Sequence, residues 1–131
     1  MPTRAWTNWL LCANLDLLRH ALARPATRKR AATCLGPPGR PAQLWIDRAI
    51  LFLDAGFSEE EVMWASEVIG GGWSGPESRH HEEKLEYFRP LQQEPDPRIR
   101  RIGETAVTHL TKMRDQALER ERIAAVKGVL A

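Results

Sequence analysis

Apolar residues recur every three or four positions over most of this 131-residue chain. That spacing is the period of an α-helix with one buried side. The first such stretch predicts a helix over Thr3–Ala23, and Pro25 separates it from a short second helix at Ala26–Leu35. Residues 36–41 hold three prolines and two glycines, which cannot continue a helix, so a loop is predicted there.

Residues 42–70 are predicted to form a helical hairpin. Its first helix, Ala42–Ala55, contains the run Ala49–Leu53, which is apolar on nearly every side. A helix of that kind is expected at the centre of the core. Gly56 stands where the C-terminal cap of this helix is expected.

The second helix of this hairpin has a clear start signal. Ser58, with Glu61 three residues later, has the pattern of a capping box, in which each side chain accepts from a backbone N–H of the other residue. We expect the helix to run to Ile69 and to end in the three glycines 70–72.

Residues 73–126 predict a second helical hairpin. Its first helix is expected to begin near Pro76, with Ser74 or Gly75 as the cap. The stripe that holds His81 and Leu85 marks the buried side of this helix. Pro90 is expected to kink it one turn before its end.

The last helix is predicted to be long. Asp96 is the expected cap and Pro97 the first helical residue. One apolar face continues to about Val126, and the end, Lys127–Ala131, is expected to be loose.

The second hairpin resembles a HEAT repeat over Leu85–Arg100 and the residues that follow. In that family the first helix often contains a proline and an Asp-Pro turn follows. The second helix then opens with an aliphatic-Arg pair and continues through small residues to leucine. Here the matching positions in the second helix are Ile99, Arg100, Gly103, Ala106 and Leu110.

The span from Trp73 to Arg122 is also similar to the C-terminal helical regions of some large bacterial helical-repeat proteins, including defence-associated ones. The central hairpin, Trp45–Ile69, lacks the Asp-Pro-x-Ile-Arg turn. A single repeat buries its face on neighbouring units. Two interpretations therefore stay open, an irregular helical domain and a repeat array.

Charge is distributed unevenly along the chain. Residues 1–50 carry eight basic side chains against two acidic ones, whereas residues 51–100 carry five against eleven. The basic part is a candidate surface for nucleic-acid phosphates, which would be bound in a salt-sensitive way. Alternatively, the two parts pack against each other. The candidate nucleic-acid-binding residues are Arg24, Arg28, Lys29, Arg30 and Arg40.

Five tryptophans are many for a chain of this length. Tryptophan buries a large area but keeps a polar N–H, so it favours half-buried seams and interfaces. Two interpretations stay open, namely core anchoring and contact with another protein. The candidate interface residues are Trp6, Trp9, Trp45, Trp64 and Trp73.

The two cysteines, Cys12 and Cys34, form no metal-ligand or disulfide pattern, which favours reduced thiols in a cytoplasmic protein. No apolar stretch approaches the ~20 residues needed to span a bilayer. We therefore expect a cytoplasmic protein without a membrane partner.

The cluster His80–Glu83 is the obvious candidate for metal or acid–base chemistry. Adjacent residues point in different directions on a helix, so His80 and His81 cannot hold one ion together. A solvated charged face is the expected role. No serine or cysteine lies in a nucleophile motif. We expect no metal, no cofactor and no enzymatic activity.

Together these patterns predict one all-α domain over residues 1–131, an irregular bundle of five to six helices. Its parts are basic N-terminal helices (1–35), a Pro/Gly loop (36–41), a central hairpin (42–70) and a HEAT-like hairpin (73–126). The expected function is a non-enzymatic protein–protein interaction module: an adaptor, a complex subunit or an inhibitor. The alternative is a small nucleic-acid-binding helical protein, and association with a second copy also stays open.

Overall fold

The computed structural model describes residues 14–39, 42–66 and 73–130. Within these ranges the chain forms six α-helices and two 3-10 segments and no strand, which confirms the all-α prediction. None of the six helices is both long enough and apolar enough to cross a membrane. The helices are α1 (Leu15–Ala23), α2 (Pro25–Ala31), α3 (Gln43–Asp54), α4 (Glu59–Ala65), α5 (Glu77–Phe88) and α6 (Pro97–Leu130). The 3-10 segments cover Ala32–Cys34 and Arg89–Gln93.

Helix α1 begins later than the apolar pattern predicts. Asn14 is extended, and its Oδ1 accepts from the backbone N–H groups of Asp16 (2.9 Å) and Leu17 (3.2 Å). Asparagine is a preferred N-terminal cap because its side chain satisfies these otherwise unpaired donors. The prediction of one helix over Thr3–Ala23 is therefore wrong at Asn14, and residues 3–13 lie outside the described part.

The loop predicted after α2 is confirmed where the structure describes it. Residues 36–39 contain no helix, while Arg40 and Pro41 lie outside the described ranges. Gly36 has a φ of 61°, which glycine adopts without strain. Its carbonyl accepts a hydrogen bond from Nε1 of Trp45 at 3.0 Å, so the loop is tied to helix α3.

Helix α3 ends as predicted, with Gly56 at a φ of 99°. The Gly56 N–H donates to the Leu53 carbonyl and the Phe57 N–H donates to the Phe52 carbonyl, both at 3.1 Å. This is the Schellman arrangement, which satisfies the last carbonyls of a helix. The rings of Phe52 and Phe57 pack edge to face, 5.2 Å apart, and supply its usual apolar contact.

The capping box at the start of α4 is confirmed. Ser58 Oγ accepts from the Glu61 N–H at 3.0 Å, and Glu61 Oε1 accepts from the Ser58 N–H at 3.1 Å. The helix ends at Ala65, four residues before the predicted end, with Ser66 as its cap. Ile69 and the three glycines lie outside the described residues.

Helix α5 begins at Glu77, and Pro76 is its cap in place of the predicted Ser74 or Gly75. Because proline has no side-chain acceptor, the acceptor for the first turn of α5 comes from another helix. Glu121 of α6 accepts from the Ser78 N–H at 3.1 Å and from the Ser78 hydroxyl at 2.6 Å. These hydrogen bonds hold the pKa of Glu121 below its ordinary value.

Pro90 lies beyond the end of α5, so the predicted kink within the helix is replaced by a helix end. The α-helix ends at Phe88, and the chain continues as a 3-10 segment through Gln93. Proline lacks an N–H and its ring crowds the carbonyl four residues earlier, so the α-helical pattern stops before it.

Helix α6 begins as predicted, with Asp96 Oδ1 accepting from the Arg98 N–H at 2.9 Å and Pro97 as the first helical residue. It runs for 34 residues, about 50 Å at 1.5 Å per residue. Helical structure continues through Leu130, beyond the end predicted near Val126, and Ala131 lies outside the described residues.

One hydrophobic cluster joins side chains from all six helices. Its largest members are Trp45, Phe52 and Phe88, each at most 1% exposed. Helices α5 and α6 form the predicted C-terminal hairpin, and the 3-10 segment between them packs closely on α6. A Cβ on Gly103 would lie 2.7 Å from the Cβ of Leu91, so glycine permits this approach.

The arginines of α6 join this helix to its neighbours. Four of them reach acidic side chains on α3, α4 and α5, so these acids pair with arginines from the last third of the chain. Two of the pairs, Arg114 with Glu82 and Arg120 with Glu77, show that α5 and α6 run antiparallel. The pairs are Arg98 with Asp54 (2.9 Å), Arg101 with Glu59 (2.6 Å), Arg114 with Glu82 (2.7 Å) and Arg120 with Glu77 (2.7 Å).

Candidate interaction site

The structure divides the basic residues that were candidates for nucleic-acid binding. Arg28 points inward, where its Nη1 donates to the carbonyls of Ala55 (2.7 Å) and Leu22 (3.3 Å). Its guanidinium carbon lies 4.2 Å from the centre of the Phe57 ring. Arg28 therefore joins the ends of α1 and α3, and its guanidinium is engaged in contacts inside the fold.

The other members of that basic set are placed differently. Arg24 lies at the junction of α1 and α2 and is exposed, as are Lys29 and Arg30. Arg40 lies outside the described residues. Among the described residues, the surface part of the predicted cluster consists of one short helix and its cap.

The tryptophans also separate into groups. Trp45 is 1% exposed and belongs to the core, so the interface role predicted for it is wrong. Trp64 and Trp73 are 43% and 50% exposed. Trp6 and Trp9 lie outside the described residues. The two exposed rings have different surroundings, and these determine which of them is the better contact site.

Trp73 lies beside the histidine pair of α5. Its ring stacks on His80 at 4.7 Å between centroids and 22° between planes. His81 is 6% exposed, as the apolar stripe predicts, and its Nε2 lies 3.3 Å from Glu77 Oε1. Hydrogen bonds from Arg120 and then from His81 hold the pKa of Glu77 below its ordinary value. A fully solvated face is therefore wrong for His81.

Trp64 stands at the edge of a concave site. A groove of about 520 Å³ separates α4 from α6, within the range of roughly 300–1,000 Å³ that is typical of ligand sites. Met63 and Ile102 line its inner side and are 5% and 1% exposed. The lining residues are Glu59, Glu60, Met63, Trp64, Arg101, Ile102, Thr105 and His109.

His109 forms the wall opposite the charged end of the groove. Its ring meets that of Trp64 edge to face, 5.5 Å between centroids and 77° between planes. The Nε2 atom of His109 is buried and has no hydrogen-bond partner among the described residues. An unsatisfied buried polar atom costs about 1–3 kcal/mol.

The acidic charges of the groove come from the first turn of α4. Glu59 receives two hydrogen bonds from Arg101, at 2.6 Å from Nε and 3.1 Å from Nη2. This carboxylate raises the pKa of Arg101 above its ordinary value. Glu60 Oε1 accepts from Nε1 of Trp64 at a long 3.5 Å.

Sequence reasoning identified Trp64 as a candidate but missed the residues around it. Glu60 and Trp64 are four apart on α4, as Thr105 and His109 are on α6, so each pair faces one side of its helix. Those spacings are visible in the sequence. The sequence does not show that the two faces meet, because α4 and α6 are brought together only by the packing of the bundle.

Among residues 14–39, 42–66 and 73–130, no group of three histidine, cysteine or acidic side chains has the geometry of a metal site. No protein-family model, no curated protein and no solved structure matches this chain. A functional assignment therefore rests on the geometry of the groove between α4 and α6.

Proposed function

We propose that this protein is a non-enzymatic helical protein–protein interaction module and that the groove between α4 and α6 receives its partner. The observation that carries the proposal is the position of Trp64. This large ring is 43% exposed at the edge of a concave, partly apolar site. Tryptophan is enriched among the residues that dominate binding energy at protein interfaces.

Two further features of the groove support a macromolecular partner. Met63 and Ile102 form a nearly buried apolar floor. The exposed apolar area that a partner would cover is the Trp64 ring, and such burial contributes about 25 cal/mol per Å². The charged side chains of Glu59, Glu60 and Arg101 line the groove beside that floor. An apolar centre with few polar groups is the usual composition of a binding site.

The proposal extends to the type of helical hairpin and to the cellular role of the protein. We interpret the α5–α6 hairpin as HEAT-like, supported by the Asp96 cap at its turn and by the close approach at Gly103. The resemblance favours an adaptor, complex subunit or inhibitor in the bacterial cytoplasm, in a defence context. Nucleic-acid binding is the weaker alternative, because Arg28 is engaged inside the fold.

The proposal is tested by changing Trp64 and by a matched change at Trp73. Tagged wild-type protein, Trp64→Ala and Trp73→Ala are used to capture partners from the native host, and stoichiometric proteins are identified by mass spectrometry. We expect one partner to be retained by wild type and by Trp73→Ala and to be lost with Trp64→Ala. Thr105→Arg, at an exposed position of the groove, should also block capture without disturbing the core.

Circular dichroism of each variant establishes that the helices are intact. Two results would overturn the proposal. One is recovery of the same partner by Trp64→Ala and Thr105→Arg at wild-type yield. The other is the absence of any stoichiometric partner of the wild-type protein.

A further inference from the structure

We infer that the partner places a cationic side chain, arginine or lysine, against Trp64 and Glu60. This inference rests on the proposed function, because it assumes that the groove between α4 and α6 is the contact site. It specifies the chemistry of the segment that binds, namely a basic residue on an otherwise apolar stretch of protein.

The charge of the groove favours a cation. Three glutamates, Glu59 to Glu61, occupy the first turn of α4. Glu59 is neutralised by Arg101, and Glu61 is held in the capping box by Ser58. Glu60 is exposed, and no basic side chain of the described ranges pairs with it. Its hydrogen bond to Trp64 is long, at 3.5 Å, which leaves its carboxylate open to a stronger donor.

An acidic partner is disfavoured by the same arrangement. Among the described residues, Arg101 is the arginine that lines the groove, and it already binds Glu59 through two of its nitrogens. An incoming carboxylate would have to displace Glu59 and would approach Glu60 as well. Like charges brought together at an interface are unfavourable.

The Trp64 ring supplies the second half of the cation site. Tryptophan is the best aromatic acceptor for a cation, which prefers to lie over the ring face within about 6 Å of its centre. Arginine and lysine also carry an apolar stem. Met63 and Ile102 on the groove floor are suited to contact that stem.

The same chain contains an arrangement of this kind. Arg28 lies 4.2 Å from the centre of the Phe57 ring while its Nη1 donates to the Ala55 carbonyl at 2.7 Å. A ring and an oxygen acceptor together hold that guanidinium. Trp64 and Glu60 offer a ring and an acceptor at the groove, with a charged acceptor in place of a neutral one. A charged acceptor makes the stronger hydrogen bond.

The experiment uses the full chain labelled with ¹⁵N at its tryptophan indoles. The Trp64 signal is assigned by its loss in Trp64→Ala. Two probes are titrated separately: Nα-acetyl-arginine methylamide and the citrulline analogue, which has nearly the same shape but no charge. We expect a saturable shift of the Trp64 signal with the arginine probe and binding about fivefold or more weaker with citrulline.

Glu60→Gln should reduce the affinity for the arginine probe several-fold and leave that for citrulline unchanged. The matched control is Glu83→Gln, which removes the same charge from an exposed position of α5 and should change neither. Raising the salt concentration should weaken the arginine probe alone, because salt screens exposed charges.

Equal affinities for arginine and citrulline would overturn the inference, as would the absence of a shift with both probes. So would an arginine affinity that Glu60→Gln leaves unchanged. These outcomes are separable from failure of the proposed function. Partner capture that depends on Trp64 but not on the charge of Glu60 retains the interaction module and rejects the cation. Selective arginine binding without any captured partner rejects the module.

Discussion

Replacing Gly103 by alanine tests how closely α6 packs on the 3-10 segment that precedes it. A Cβ at this position would lie 2.7 Å from the Leu91 Cβ, 3.0 Å from the Leu91 carbonyl carbon and 3.0 Å from the Gln92 nitrogen. Carbon atoms in contact are ordinarily about 3.5–4.0 Å apart. The new methyl group is therefore about 1 Å too close to the Leu91 Cβ and about 0.5–1 Å too close to two backbone atoms, which cannot rotate away as a side chain can.

Two effects of opposite sign act in Gly103→Ala. Alanine is favoured over glycine in a helix interior by about 1 kcal/mol. Inserting a methyl group into a packed contact costs typically about 1–3 kcal/mol. Because the obstacle here is largely backbone, the upper part of that range applies. We expect a net loss of about 1–2 kcal/mol in the free energy of unfolding.

The assay is urea unfolding followed by circular dichroism, with the free energy extrapolated to water. Gly128→Ala is the matched control, since a Cβ on Gly128 meets no atom of the described chain within 4 Å. It lies in the same helix, near its end, and should leave stability unchanged or raise it slightly. A Gly103→Ala protein as stable as wild type would refute the packing argument.

Two other predictions concern contacts between distant parts of the chain. Arg28→Ala removes the hydrogen bonds to Ala55 and Leu22 and the contact with Phe57, and should cost about 2–3 kcal/mol of unfolding free energy in the same urea assay. Lys29→Ala, its exposed neighbour, should change stability by less than ~0.5 kcal/mol; equal effects of the two would contradict the role given to Arg28. The lowered pKa of Glu121 means that its hydrogen bonds with Ser78 stabilise the fold above the unfolded value of 4.5 and are lost as the pH falls through the folded value. Glu121→Gln should therefore lose less stability than wild type between pH 5 and pH 3 in thermal melts, and an identical loss in both proteins would argue against this cap.

The positions of several helix ends could be predicted from the sequence because their hydrogen bonds are local. Gly56, Ser58 with Glu61, and Asp96 each act on backbone groups within a few residues. Such motifs have the same geometry in any surrounding structure. The all-α class follows from a periodicity that is local in the same sense.

Helix ends that depend on distant groups could not be placed in this way. Pro76 is an unexpected cap for α5, and its helix receives an acceptor from Glu121, 43 residues from Ser78. The cap at Asn14 is not predicted by the apolar pattern for a different reason. The apolar spacing continues on both sides of it, and spacing alone does not report a break in the backbone.

The roles of individual large and charged residues were decided by the tertiary structure. Sequence treats Trp45 and Trp64 alike, yet one is in the core and the other is at the edge of a groove. Arg28 and Lys29 are likewise adjacent and both basic, but only the former reaches carbonyls and a ring inside the fold. Local periodicity establishes that a helix has a buried side. Which residues of another helix meet that side, and whether a groove is left between them, depends on how all six helices pack together.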